Sequence, residues 1–128
     1  MKKQRIVIIE DDEVMSLVMR EELSKAGFDV NISTTGKDGL QKAQTKKPDL
    51  VLLDLMLPDI SGYEVLKTLK KSEATKKIPV VIITSLSMDE GISKAMAAGA
   101  NDYFVKSQHT VIELIEMIVQ FLKNAHDS

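Results

Sequence analysis

Leu50-Val51-Leu52-Leu53-Asp54-Leu55-Met56-Leu57-Pro58 places a carboxylate inside a run of apolar residues. Bounded by Pro48-Asp49 on one side and Pro58-Asp59 on the other, the run reads as a strand covered on both faces, as in a parallel sheet. Asp54 falls at its carboxyl end, the edge at which open α/β sheets place their ligands. A charge in apolar surroundings needs a partner, a metal or a reaction to offset its desolvation. Taken alone, such an aspartate reads more readily as a turn or capping residue, so the decision rests with the rest of the chain.

The chain has 128 residues, 44% hydrophobic and 28% charged, which suits one globular domain with a single core. Its net charge of -2 supplies no basic field for nucleic-acid phosphates. Cysteine is absent, which excludes disulfides, thiolate chemistry and zinc-thiolate sites. The apolar run 6–9 ends at Glu10-Asp11-Asp12, too short for a signal peptide or a membrane span, so a cytoplasmic protein without membrane insertion is expected.

Strands are expected at 5–9, 28–33, 50–54, 79–84 and 103–105, the second at an edge because it alternates apolar and polar residues. Helices should fill the intervals. The first buries Met15, Val18, Met19 and Leu23 and stops at Gly27; the second runs from Thr35-Gly36 through Leu40 and Ala43. The third turns Val65, Leu66 and Leu69 inward and leads to a solvated 70–77 connection. The fourth faces Ile92, Ala95 and Met96 inward, and the last, over 110–124, presents Val111, Leu114, Ile115, Ile118 and Leu122. Strands alternating with helices through right-handed crossovers make a doubly wound α/β domain with a parallel sheet. The domain should occupy 1–124, with 125–128 a short tail.

Parallel strands all end on one edge, so the residues there converge: Glu10 and Asp11 from the first strand, Asp54 from the third, Thr84 from the fourth and Lys106 from the fifth. Crowded carboxylates repel unless a cation joins them, and an oxygen-rich set suits a hard divalent ion such as Mg²⁺. No GxxxxGK[ST] or GxGxxG loop is present, and an acidic first turn repels a pyrophosphate. Metal, carboxylate and lysine together point to phosphoryl transfer onto a carboxylate. Asp12, one place past the acidic pair, reads as a helix cap.

Ile8-Ile9-Glu10-Asp11-Asp12, Asp54-Leu55-Met56-Leu57-Pro58-Asp59-Ile60-Ser61-Gly62, Ile83-Thr84-Ser85 and Gly99-Ala100-Asn101-Asp102-Tyr103-Phe104-Val105-Lys106 resemble the signatures of response-regulator receiver domains of two-component signalling. The resemblance covers essentially the whole chain. It implies a (βα)5 fold of flavodoxin-like strand order 2-1-3-4-5, with Asp54 as acceptor of a phosphoryl group from a histidine kinase phosphohistidine. Asp11 and Asp54 would ligate Mg²⁺ through side chains, Met56 through its backbone carbonyl and Glu10 through a metal-bound water. Lys106 would pair with Asp54 and then with a phosphoryl oxygen. Thr84 would move onto the phosphoryl group, and Tyr103 would turn inward into the space it leaves.

The chain departs from the family pattern in three places. Ser107 stands where proline usually follows the lysine, often in a cis bond, and a cis bond costs far more before serine. Met56 and Leu86 are apolar where some relatives carry groups able to orient water, which implies slow loss of the phosphoryl group. With no output module after the last helix, activity would be expressed by docking. The last helix also carries Ile112, Met117, Val119 and Phe121 beyond its inward face, which suits a partner or dimer surface made by the last two helices and the fifth strand. Met88, Met96 and Met117 suit adaptable contacts there. The partners implied are a histidine kinase or phosphotransfer protein and an unnamed downstream protein, not DNA.

Three alternatives accompany this reading. A binding-only pseudo-receiver is disfavoured by the intact Asp11, Asp54, Thr84 and Lys106. A receiver module excised from a longer regulator is equally compatible with the sequence. An aspartyl phosphohydrolase should carry a second carboxylate where Met56 stands.

Overall fold

The computed structural model describes residues 3–127. Five strands alternate with five helices: β1 Arg5–Ile9, α1 Glu13–Lys25, β2 Asp29–Ser33, α2 Gly36–Lys46, β3 Leu50–Leu53, α3 Gly62–Lys71, β4 Val80–Thr84, α4 Asp89–Ala97, β5 Asp102–Val105 and α5 Val111–Asp127. All strand pairs are parallel, in the order β2-β1-β3-β4-β5, so β2 is an edge strand. Among the described residues, no helix is long and apolar enough to cross a membrane.

Side-chain alternation along the strands splits the core in two. Val7, Ile9, Val51, Leu53, Val80 and Ile82 pack under α2, α3 and α4, against Ala43, Val65, Leu66, Leu69 and Ala95. Ile6, Ile8, Leu50, Leu52, Val81 and Ile83 pack on the opposite face, against Met19 and Leu23 of α1 and Leu114, Ile118 and Leu122 of α5. The sheet is therefore covered on both faces, which is why its inner strands read as unbroken apolar runs.

The helices depart from the expected faces at particular residues. On α1 the buried residues are Ser16, Met19 and Leu23, while Val18 is exposed. Ser16 tolerates burial because its hydroxyl donates to the Glu13 carbonyl, so the inward stripe is rotated away from Val18. On α4, Met96 is exposed and Ala95 alone is fully buried. The 70–77 connection is not wholly solvated: Thr75 is buried and donates to the Leu69 carbonyl at 2.7 Å, closing the turn after α3. α5 continues past Asn124 to Asp127, through residues that include no glycine or proline. Of its surplus apolar residues only Ile112 is well exposed; Val119 and Phe121 pack on the second core cluster.

Gly62 sets α3 directly on the chain leaving β3. A Cβ there would lie 2.4 Å from the Leu55 Cα and 2.5 Å from the Asp54 carbonyl oxygen, so only glycine permits this approach. Asp59, in the same connection, reaches back to α2: its two carboxylate oxygens accept from the amides of Gly36 at 2.7 Å and Lys37 at 3.0 Å. Thr35 caps the same helix end, so the loop after β3 is tied to the start of α2.

The Lys37 and Gly36 amides hold the Asp59 carboxyl down at about 2, below the ordinary 3.8. A carboxylate depressed by folding contributes stability that is present above its unfolded pKa and lost as pH falls through its folded one. Thermal denaturation between pH 4 and 2 should therefore show a steeper fall of Tm for the native chain than for Asp59→Asn. Parallel curves would contradict this role.

Candidate functional site

Strand register places the site. Ile9 is level with Leu53, and Leu53 with Ile82, while Thr84 is level with Val105. The residues that follow β1 and β3, Glu10 and Asp54, thus emerge side by side. Thr84 emerges one step further along and Lys106 two. The backbone holds this edge firmly: the Glu10 amide donates to the Ser33 carbonyl at 2.9 Å and the Asp54 amide to the Ile9 carbonyl at 3.0 Å.

Asp54 is 5% exposed, and both of its oxygens are engaged. Oδ1 accepts from the Thr84 hydroxyl at 2.7 Å and from the Met56 amide at 3.0 Å. Oδ2 accepts from the Lys106 ammonium at 2.8 Å. Lys106 also makes a close ion pair with Glu10, so one ammonium bridges two buried carboxylates. The peptide bond after Lys106 is trans, and a 3-10 turn over Lys106–Gln108 takes the place of the proline turn. That geometry delivers the lysine head group to the carboxylates without proline.

Glu10, Asp11 and Asp54 each bring a carboxylate oxygen within 4.8 Å of the others, with Asp11 exposed at the mouth. Burial and then the hydrogen bond to Asp54 push Glu10 up to about 7, against the pull of Lys106. For Asp54 burial also works upward, but hydrogen bonds to Glu10, Lys106, the Met56 amide and Thr84 outweigh it and hold its carboxyl below the usual range. Burial thus works against the Glu10 anion, while hydrogen bonds favour that of Asp54. Burial disfavours the Lys106 ammonium, yet Asp54 and Glu10 raise it above its ordinary value. The donor set is all oxygen, and among the described residues at the site one lysine faces three carboxylates. Such a cluster fits a hard divalent cation in its chemistry.

Asp12 caps α1, its Oδ1 accepting from the Met15 amide at 3.1 Å, as its place in the sequence suggested. Met56 projects outward and is 55% exposed while its amide serves Asp54. Thr84 and Tyr103 are both seen in one arrangement. The Thr84 hydroxyl already lies on Asp54, and the Tyr103 ring already packs on the core with its hydroxyl donating to the Leu86 carbonyl at 2.8 Å. Burial raises the Tyr103 phenol above its ordinary value.

Asn101, which no local sequence pattern marks, ties the opposite edge of the sheet. Its Oδ1 accepts from the Val80 amide at 3.0 Å and from the Lys70 ammonium at 3.1 Å, joining the starts of β4 and β5 to the end of α3. Asp59 was likewise quoted only as part of a motif. The partners of both lie more than twenty residues away, and no local pattern announces them.

Phe104, Met117 and Phe121 line a groove of about 440 Å³ along β5 and α5, together with Asp102 and Glu116. Met88 and Ile112 are well exposed nearby in sequence to α4 and α5, whereas Met117 is half-buried.

A family model described as the response regulator receiver domain matches residues 6–119. The phosphate regulon transcriptional regulatory protein PhoB of Rhizobium meliloti is 32% identical over 121 residues, covering 94% of this chain and 53% of that protein. The chain spans about half the length of the curated relatives it matches. A CheY-like response regulator receiver domain protein from Methanospirillum hungatei superposes with a TM-score of 0.89 at 27% identity, covering 98% of each chain. The Mn(2+)-bound form of the response regulator Rcp1 superposes with a TM-score of 0.76 at 27% identity, covering 90% of this chain and 88% of that one. With its five-stranded parallel sheet in the order β2-β1-β3-β4-β5, the chain belongs to the response regulator receiver domain family, a signalling family.

Proposed function

We propose that this chain is a phosphoacceptor switch, taking a phosphoryl group from the phosphohistidine of a histidine kinase or phosphotransfer protein onto Asp54. The observation that carries the reading is Asp54 itself: a buried carboxylate kept ionised by Lys106, Thr84 and the Met56 amide at the ligand edge of the sheet. A carboxylate oxygen of Asp54 attacks phosphorus, the phosphorus–nitrogen bond of the donor breaks, and its electron pair stays with the departing imidazole. Lys106 and Thr84, already in contact with Asp54, then face the oxygens of the new acyl phosphate. Asp11 and Asp54 would hold Mg²⁺ directly, with the Met56 carbonyl, and Glu10 through a water. Bound there, the ion would spread the negative charge of the transferred group.

The output is a change in what the surface of α4, β5 and α5 binds. Adding charge at Asp54 shifts the balance between arrangements of Thr84 and Tyr103, and the groove beside Phe104 and Met117 supplies an adaptable surface for a downstream protein or a second copy. The net charge of -2 gives no support to direct DNA contact by this chain, and a cytoplasmic setting fits a kinase-fed switch.

Incubation with acetyl phosphate and Mg²⁺ tests the reading by intact mass. The native chain should gain one phosphoryl group and Asp54→Asn none, with EDTA abolishing the gain; an unmodified native chain overturns it. The exposed thioether of Met56, beside Asp54, offers no group to orient attacking water. Met56→Asn should therefore shorten the phosphoryl lifetime by about tenfold, less than a fully positioned proton-transfer group supplies. An unchanged dephosphorylation rate would remove Met56 from this role.

A further inference from the structure

Two phenol hydroxyls bond the segment from Leu86 to Gly91. Tyr63, in the first turn of α3, donates to the Gly91 carbonyl at 3.1 Å. Tyr103, on β5, donates to the Leu86 carbonyl at 2.8 Å. A Cβ placed on Gly91 would lie 3.0 Å from the Tyr63 hydroxyl and 3.9 Å from that of Tyr103, so both converge on this one glycine. Lys94 sits one turn further along α4, with its ammonium 4.2 Å from the centre of the Tyr63 ring.

α4 has few other anchors. Ala95 is its one buried residue, and Met88 at its N-cap offers no side-chain hydrogen bond. A helix with so little buried apolar area belongs to the part of a fold that opens locally at low cost. The segment from the end of β4 into α4 is held by three side-chain hydroxyls: Thr84 bonds Asp54, Tyr103 bonds the Leu86 carbonyl, and Tyr63 bonds the Gly91 carbonyl. The first two belong to the site described above. The third comes from a helix that has no other part in it.

We infer that Tyr63 is a positioning residue for the switch segment. Its hydroxyl fixes the first turn of α4, and through it the loop carrying Leu86, in the arrangement where Thr84 lies on Asp54 and Tyr103 lies inward. Gly91 is part of the same device, since any side chain there would press on the Tyr63 hydroxyl. The inference goes beyond the phosphoacceptor reading and holds for the unphosphorylated chain.

Tyr63→Phe isolates the hydroxyl, because phenylalanine keeps the ring under Lys94. Amide hydrogen exchange of the unphosphorylated full chain should show residues 89–95 exchanging about two- to tenfold faster in the variant, the scale of one lost hydrogen bond. Amides of α1 and α5 should be unaffected. Ring NMR signals of Tyr103 should move as well, and the effect of Tyr63→Phe on α4 should differ in a Tyr103→Phe background. Unchanged exchange in α4 would overturn the inference, as would equal acceleration in every helix. Faster exchange in α4 with the Tyr103 signals unmoved would also overturn it, since Tyr63 would then brace the helix without reaching the switch.

Discussion

One ammonium serves two buried carboxylates at the end of the sheet, and the rest of the site is arranged around that shortage. Lys106 bridges Glu10 and Asp54, and Asp11 adds a third acid at the mouth. Removing one partner of a buried ion pair typically costs about 3–5 kcal/mol, because the other is left uncompensated in a poorly solvated place. The protein softens the imbalance with neutral donors, the Thr84 hydroxyl and the Met56 amide, both aimed at the same oxygen of Asp54. What remains is a concentration of negative charge that a divalent cation would relieve.

The fold delivers this arrangement through register rather than through loop design. Parallel strands bring Glu10, Asp54, Thr84 and Lys106 to a single edge, and each is fixed by the apolar residues that precede it in its strand. The loops need only keep clear and stay tethered. Gly62 lets α3 lie against the backbone of residues 54 and 55, and Asp59 pins the same loop to α2. The segment after Thr84 is the exception, since α4 is lightly buried and relies on tyrosine hydroxyls for its position. Rigidity at the acidic end and looseness at α4 together suit a domain that receives charge at one place and alters a surface at another.

Much of this was legible in the sequence for a physical reason. Strands buried on both faces cannot hide their composition, and a charge or hydroxyl closing such a run stands out, as Asp54 and Thr84 do. Helix faces were less legible. Val18 and Met96 continue an apolar spacing but lie exposed, while Ser16 and Thr75 are buried because each hydroxyl finds a nearby backbone carbonyl. Such local satisfaction leaves no trace in hydropathy. Contacts between distant elements were illegible altogether: Asp59 with α2, Asn101 with Lys70, and Tyr63 with Gly91 depend on where helices come to rest. Lys106 was expected at Asp54 from its place at the end of the fifth strand, but the 3-10 turn that carries its head group there, with Ser107 where proline is usual, has no strong sequence mark.

The carboxylates at the sheet edge, which share the single ammonium of Lys106, would be relieved by a divalent cation. The direct measurement is the melting temperature with Mg²⁺ and with EDTA, in the native chain and in Asp54→Asn. A ligand that binds only the folded state raises its stability by mass action. The native chain should melt higher in Mg²⁺, and the rise should shrink in Asp54→Asn, which has one fewer charge to relieve. Equal rises in both proteins, or none in either, would contradict the account.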